Sequence, residues 1–203
     1  SSLDYLWVIN KETFDYKGEC MRKVIFIIPT LLAILIVFLI FQLSSKAIQT
    51  EALVRADFKH NITFDQLIPK AQQQVMCLAE NIFYESAHEP LNGQVAVAFV
   101  TLNRVKSKSY PNNICSVVKQ KNPRGCQFSW YCEGKEPMEW LTRHNKTMYN
   151  TIIKLAINVY ANHDSLKDPS KGSLFYHANY VKPLWRKDMN KVAVIGKHIF
   201  YRK

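Results

Sequence analysis

Between Pro69 and Pro90 the apolar residues Ala71, Val75, Leu78, Ala79, Ile82 and Phe83 recur every three to four positions. That period predicts a helix over residues 70–86 that buries one face. Pro69 suits the first turn of a helix, and Pro90 ends the element or the turn after it. The stripe runs into Glu85, with Phe83 and Tyr84 beside it and Ile82 three residues back. A carboxyl group desolvated by such neighbours keeps its proton toward neutral pH and can deliver it to a leaving oxygen. The plain alternative is a solvated glutamate whose charge opposes the dipole at a helix C-terminus. Glu80 lies on the same helix without that context and reads as surface. Glu89, four residues past Glu85, is either a second functional carboxylate or an acceptor of backbone N–H groups in the turn before Pro90.

The residues beyond this helix set the fold class. Val95-Ala-Val-Ala-Phe-Val100 is apolar on every face; with Asn92 as a cap and a continuation through Leu102 and Val105, it reads as a central buried helix. Asn113 caps a short helix through Val118, Lys119–Gly125 is a basic loop, and Pro137 to Asn162 contains another long helix. Leu174–Tyr176, Val192–Ile195 and His198–Tyr201 look like short strands, the last two joined by a two-residue Gly196-Lys197 turn. Helices first and a small antiparallel sheet later define an α+β domain, expected over residues 69–203.

Ahead of it, Val24 to Leu43 carries no charge across twenty residues. At about 1.5 Å per residue that is roughly 30 Å, the hydrocarbon thickness of a bilayer. The expectation is one transmembrane signal anchor over residues 23–43, with Arg22 and Lys23 on the cytoplasmic side and the domain on the far side. A cleaved signal peptide ending near Ser45-Lys46-Ala47 is the rival, although the apolar run exceeds a signal core. Residues 44–68 read as a polar linker. Residues 1–22 are an N-terminal segment that either a non-native extension before Met21 or a clipped precursor would explain, and are set aside.

The formal net charge is +11, and residues 1–43 contribute none of it. The basic domain suits a polyanion: nucleic acid, anionic lipid or an acidic wall polymer. Export removes nucleic acid from that choice. Cys77, Cys115, Cys126 and Cys132 lie in the exported part, where disulfides persist. Four cysteines allow three pairings. Cys126 and Cys132 bracket a short loop, and Cys77 with Cys115 would tie the first helix to a later segment. No Cys-x-x-Cys pair or His-Glu-x-x-His motif is present, so no metal and no cofactor is expected. Ser129 lacks the glycines of a nucleophile elbow. Distal aromatics, with Gln127, Asn103 and Asn179 near them in sequence, suit a groove where sugar faces lie on rings and hydroxyls meet amides.

From Cys77 to Tyr201 the chain resembles the cell wall hydrolase family of the spore-cortex-lytic type. The matching pieces run in family order: Cys77-Leu-Ala-Glu-Asn-Ile-Phe-Tyr-Glu85, Gly93-Gln-Val-Ala-Val97, Leu102-Asn-Arg-Val105, Ile114-Cys-Ser-Val-Val118, Gly125-Cys-Gln-Phe-Ser-Trp130, Tyr176-His-Ala-Asn-Tyr-Val-Lys-Pro183 and Ile195-Gly-Lys-His-Ile-Phe-Tyr201. The family's usual Glu-Ala-Arg-Gly-Glu reads Glu85-Ser-Ala-His-Glu89 here, so both carboxylates are kept and the Arg-Gly pair is lost.

The resemblance implies a lysozyme-like, mostly helical domain that cleaves peptidoglycan between N-acetylmuramic acid and N-acetylglucosamine as a lytic transglycosylase. Glu85 matches the single catalytic glutamate. Substrate contacts are expected from Glu89, Asn103, Gln127, Ser129, Tyr176, His177, Trp185 and His198. A two-carboxylate glycosidase, with Glu89 or Asp188 as partner, and a tethered wall-binding module without activity are the alternatives. A phage endolysin and a bacterial wall-remodelling enzyme would share these features.

Overall fold

The computed structural model describes residues 31–45, 62–123, 125–135 and 137–203. The chain divides into two units, Ser1–Thr50 and Glu51–Lys203. The first contributes one described helix, α1, over residues 31–45. Ser44 and Ser45 at its end donate their hydroxyls back to the carbonyls of Ile40 (2.8 Å) and Gln42 (2.9 Å).

This corrects the expectation of a membrane-crossing helix over residues 23–43. Among the described residues no helix is long and apolar enough to cross a membrane. Single-pass anchoring through such a helix is not supported by the described residues. Residues 1–30 and 46–61, and with them the N-terminal segment and most of the linker, lie outside the described residues.

The second unit is built on two long helices, α2 (Pro69–Ser86) and α3 (Leu91–Lys106). Pro69 sits in the first turn of α2, where its missing N–H costs nothing. Pro90 occupies the cap of α3 with φ −54° and ψ 152°, and Asn92, expected as the cap, lies inside the helix. The all-round apolar character of α3 has a direct cause. Val95, Ala98, Phe99 and Leu102 join the main core with Val75, Leu78 and Ile82 of α2, while Ala96, Val97 and Val100 pack against Phe200 of the sheet. The helix is therefore buried on two sides, between helices and sheet.

The short helix α4 (Ile114–Val118) follows, capped by Asn113, whose side chain accepts the Ser116 N–H at 2.9 Å. The segment read as a basic loop holds a minimal hairpin, β1 (Lys121–Asn122) with β2 (Gly125–Cys126), and α5 (Ser129–Cys132) comes next. The long helix expected within residues 137–162 occupies their C-terminal part. A 3-10 turn (Met138–Trp140) leads into α6 (Leu141–His144), and Asn145 (φ −155°, ψ 74°) leaves helical geometry and caps α7 (Lys146–Asn162) through Met148 N–H at 3.0 Å. Ile152, Leu155, Ala156 and Val159 of α7 complete the main core.

The chain ends in an antiparallel sheet ordered β3 (Phe175–Ala178), β5 (His198–Arg202), β4 (Asn190–Ile195), with a 3-10 turn, Leu184–Asp188, between β3 and β4. Gly196 takes φ 55° at the first position of the β4–β5 turn, the left-handed region in which a two-residue hairpin loop favours glycine. Disulfides join Cys77 to Cys115 and Cys126 to Cys132.

Candidate active site

The last two turns of α2 carry Asn81, Tyr84 and Glu85. Asn81 is fully buried: it donates to Thr101 Oγ1 (3.1 Å) on α3 and accepts the Trp130 indole N–H (3.2 Å). That pair of bonds fixes Trp130, and Tyr84 stacks on it at 4.7 Å and 23°. Glu85 is half-buried beside this aromatic pair, and Tyr176 Oη donates to its Oε2 at 2.9 Å. Burial pushes the Glu85 carboxyl above its ordinary range; the Tyr176 hydrogen bond and the charge of Arg104 oppose that rise, and the charge of Glu133 adds to it. Burial, with the Glu85 charge beside it, drives the Tyr176 phenol well above its ordinary value. The phenol therefore stays protonated and acts as a donor.

Arg104, in the last turn of α3, is 3% exposed. Its Nε donates to Leu174 O at 2.8 Å, and its guanidinium lies over the rings of Tyr110 (5.3 Å) and Phe128 (5.1 Å). Its Nη1 is buried with no hydrogen-bond partner among the described residues.

The expected substrate-binding residues separate into three groups. Tyr176 and His198 share the sheet face that packs toward α3: their rings meet edge-on at 5.2 Å, and Phe200 lies beside both. His198 is buried, and burial lowers its pKa; Glu89 opposes that shift and His177 adds to it.

His177 and Trp185 belong to the opposite face, where they meet Tyr201. His177 Nδ1 lies 2.8 Å from Ala178 O, so it carries the proton, and Nε2 accepts from Tyr201 Oη at 3.0 Å. Strand alternation explains the split between Tyr176 and His177, since successive side chains point to opposite faces.

Of the remaining expected contacts, Asn103 and Glu89 hold the scaffold. Asn103 donates to Asp168 (3.0 Å), Ser170 Oγ (3.3 Å) and Ser173 O (3.2 Å), fastening the loop before β3. Glu89 Oε2 accepts the Lys197 N–H at 2.7 Å in the β4–β5 turn. Gln127 is half-buried, with its backbone N–H on Gln120 O at 2.8 Å. Ser129 is exposed and hydrogen-bonds Glu133, the carboxylate whose charge reaches Glu85.

Asn81, Arg104 and Glu133 are site residues that periodicity alone did not single out. Asn81 carries a readable signal, an amide on the buried stripe between Leu78 and Ile82. Two hollows of about 730 and 610 Å³ lie elsewhere: one lined by Phe64, Leu91 and Tyr149, the other by Lys70, Leu102 and His163. No group of three or more potential metal ligands occurs among the described residues.

An α+β domain with a half-buried glutamate held by a tyrosine donor, and flanking aromatics, fits the enzymes that act on wall polysaccharides. The family model for cell wall hydrolases matches residues 88–201, and the chain belongs to that family. The match opens just past Glu85.

Among relatives, the chain is 34% identical over 131 residues to the spore cortex-lytic enzyme of Bacillus cereus, covering 64% of this chain and 44% of that protein. It is 29% identical to the spore cortex-lytic enzyme of Bacillus subtilis, covering 64% and 38%. The chain thus spans less than half the length of these curated relatives. Among solved structures, the catalytic domain of the germination-specific lytic transglycosylase SleB from Bacillus anthracis is 31% identical, with a TM-score of 0.49 over 64% of this chain and 95% of that one.

Proposed function

We propose that this chain cleaves peptidoglycan glycan strands between N-acetylmuramic acid and N-acetylglucosamine as a lytic transglycosylase, with Glu85 as its single catalytic group. The observation that carries the reading is the half-buried Glu85 carboxyl, its pKa raised by burial and its Oε2 held by Tyr176. An acid so poised is protonated closer to neutrality than an exposed glutamate. With Oε2 occupied by Tyr176, Oε1 is left to give its proton to the glycosidic oxygen as the C1–O bond breaks. The resulting carboxylate then takes the proton of the 6-hydroxyl as O6 bonds to C1, closing an anhydro ring without consuming water.

The other carboxylates support this one-residue route over a two-carboxylate hydrolysis. Glu89 is engaged by the Lys197 amide, and Asp188 is exposed in the 3-10 turn after Pro183. The relatives' printed names, cortex-lytic enzyme and lytic transglycosylase, point to the same class. The net charge of +11 favours an anionic wall, and two disulfides suit work outside the cytoplasm.

The test is to incubate the full chain with purified murein and weigh the products. Anhydromuropeptides support the proposal, new reducing ends replace it with hydrolysis, and intact murein leaves a binding module. Glu85→Gln is expected to abolish product while the circular dichroism spectrum is unchanged. Activity near wild type in that variant would remove Glu85 from the role.

A further inference from the structure

We infer that Arg104 is a positioning residue for the Glu85–Tyr176 pair: it fixes the start of the strand that carries Tyr176 and supplies the buried positive charge beside which the Glu85 carboxylate forms. The inference rests on the transglycosylase reading and adds a residue to it. Its geometric half is a short chain of contacts. Arg104 Nε holds the carbonyl of Leu174, the residue just before β3, and Tyr176 follows two residues later with its hydroxyl on Glu85 Oε2. Moving the Leu174 carbonyl moves the phenol that holds the acid.

Its electrostatic half follows from how Arg104 is buried. A guanidinium only 3% exposed, with Nη1 lacking a partner among the described residues, is a costly way merely to fill space. Packing alone would be served as well by a methionine. Rings take the surroundings of the cation on two sides, Tyr110 after α3 and Phe128 before α5. The titratable groups that act on Arg104 are Tyr110, Tyr176 and Glu85. Those that act on Glu85 are Tyr176 from β3, Arg104 from α3 and Glu133 from the turn after α5. Arg104 is the cation of that set. In the proposed reaction Glu85 passes through a carboxylate between its two proton transfers, and Arg104 stabilises that state without touching the sugar.

The test uses the full chain with the Glu85 side-chain carbon labelled, and follows its NMR titration in wild type, Arg104→Lys and Arg104→Met. Loss of the cation is expected to move the Glu85 midpoint to higher pH in Arg104→Met, with Arg104→Lys between that variant and wild type. On murein, kcat of Arg104→Met is expected to fall roughly 10- to 100-fold with KM within about twofold, the loss typical of a misplaced acid. Arg104→Lys should restore part of it. In wild type, the Arg104 side-chain nitrogen signals should show a step at the Glu85 midpoint, and Glu85→Gln should erase that step.

A folded Arg104→Met with an unmoved Glu85 midpoint overturns the inference. If that variant does not fold, wild-type Arg104 signals that ignore the Glu85 titration overturn it equally. A wild type inert on murein would instead sink the transglycosylase reading, with these titrations intact.

Discussion

Tyr176 Oη and Glu85 Oε2 meet at 2.9 Å across 91 residues of sequence, joining the first strand of the C-terminal sheet to the last turn of α2. A hydrogen bond donated to a carboxylate favours its charged form, so this contact holds the Glu85 pKa below what burial alone would give. Removing the hydroxyl in Tyr176→Phe is expected to raise that pKa further. Cleavage needs protonated Glu85 at the first step, so the alkaline limb of the murein-cleavage pH profile should move to higher pH. A weaker, less well-held acid should also lower kcat by about tenfold or more, as the loss of a hydrogen bond to a charged group does. A pH profile of product release checks both.

Glu85 also has a stability signature, and its sign is fixed by the direction of its shift. Burial holds the folded pKa above the ordinary value of 4.5. Between 4.5 and the raised value the folded chain binds more protons than the unfolded one, so stability declines as pH rises through that window. Glutamine does not titrate and escapes the decline. Glu85→Gln should therefore melt at a higher temperature than wild type at pH 7, with the gap closing below about pH 4.5, where wild type is protonated in both states. A lower Tm for the variant at pH 7 would count against burial as the dominant influence on this carboxyl.

The helices that build the site were readable because their signals are local. The stripe of α2 needs only its own residues, and α3 looked buried on all faces because it is, between the main core and the sheet. The long helix within residues 137–162 was readable in the same way, but its cap at Asn145 went unread, although an asparagine before a helical run is an ordinary cap signal. Arg104 was illegible for a different reason. With Lys106 it reads as a cation in the last turn of a helix, where positive charge is expected on a surface. Its burial arises from Leu174, Tyr110 and Phe128, and Leu174 lies 70 residues away. His177 was expected beside Tyr176 as a substrate contact from the family resemblance, and the strand's alternation sends it to the other face, where Trp185 of the following 3-10 turn meets it. The uncharged run before the domain was judged by length and hydropathy alone, and among the described residues no helix is long and apolar enough to cross a membrane.

Gly196 and Glu89 form a coupled pair at the β4–β5 turn. Gly196 sits at φ 55°, and a Cβ there would collide with the Glu89 carboxylate, whose Oε2 accepts the neighbouring Lys197 N–H. Gly196→Ala is expected to cost about 1–3 kcal/mol in urea denaturation, from the left-handed backbone and the displaced acceptor together. In Gly196→Ala with Glu89→Ala the collision is gone and the backbone cost stays, so the double variant should lose less than the sum of the singles. Strict additivity would show that the carboxylate does not constrain the turn.

The two disulfides should differ in what they contribute, because they close loops of different length. Cys77–Cys115 spans a sequence separation of 38 and ties α2 to α4, whereas Cys126–Cys132 spans 6 and closes only the segment from β2 to the end of α5. In the chain-entropy treatment the first removes about 4 kcal/mol of unfolded-state freedom and the second about 2 kcal/mol. Replacing both members of each pair by serine and measuring urea unfolding should reproduce that order. The long link also borders the main core, since Cys77 is buried among α2 residues, so the Cys77→Ser and Cys115→Ser pair adds a polar group to an apolar site. An alanine pair separates the two effects: it should recover the part due to the buried hydroxyl and leave the loop term. The short link closes the loop that contains Trp130, whose indole is held by Asn81 one turn before Glu85. Its loss should therefore act more on murein cleavage than on stability, and the opposite ranking in paired activity and urea measurements would overturn this assignment.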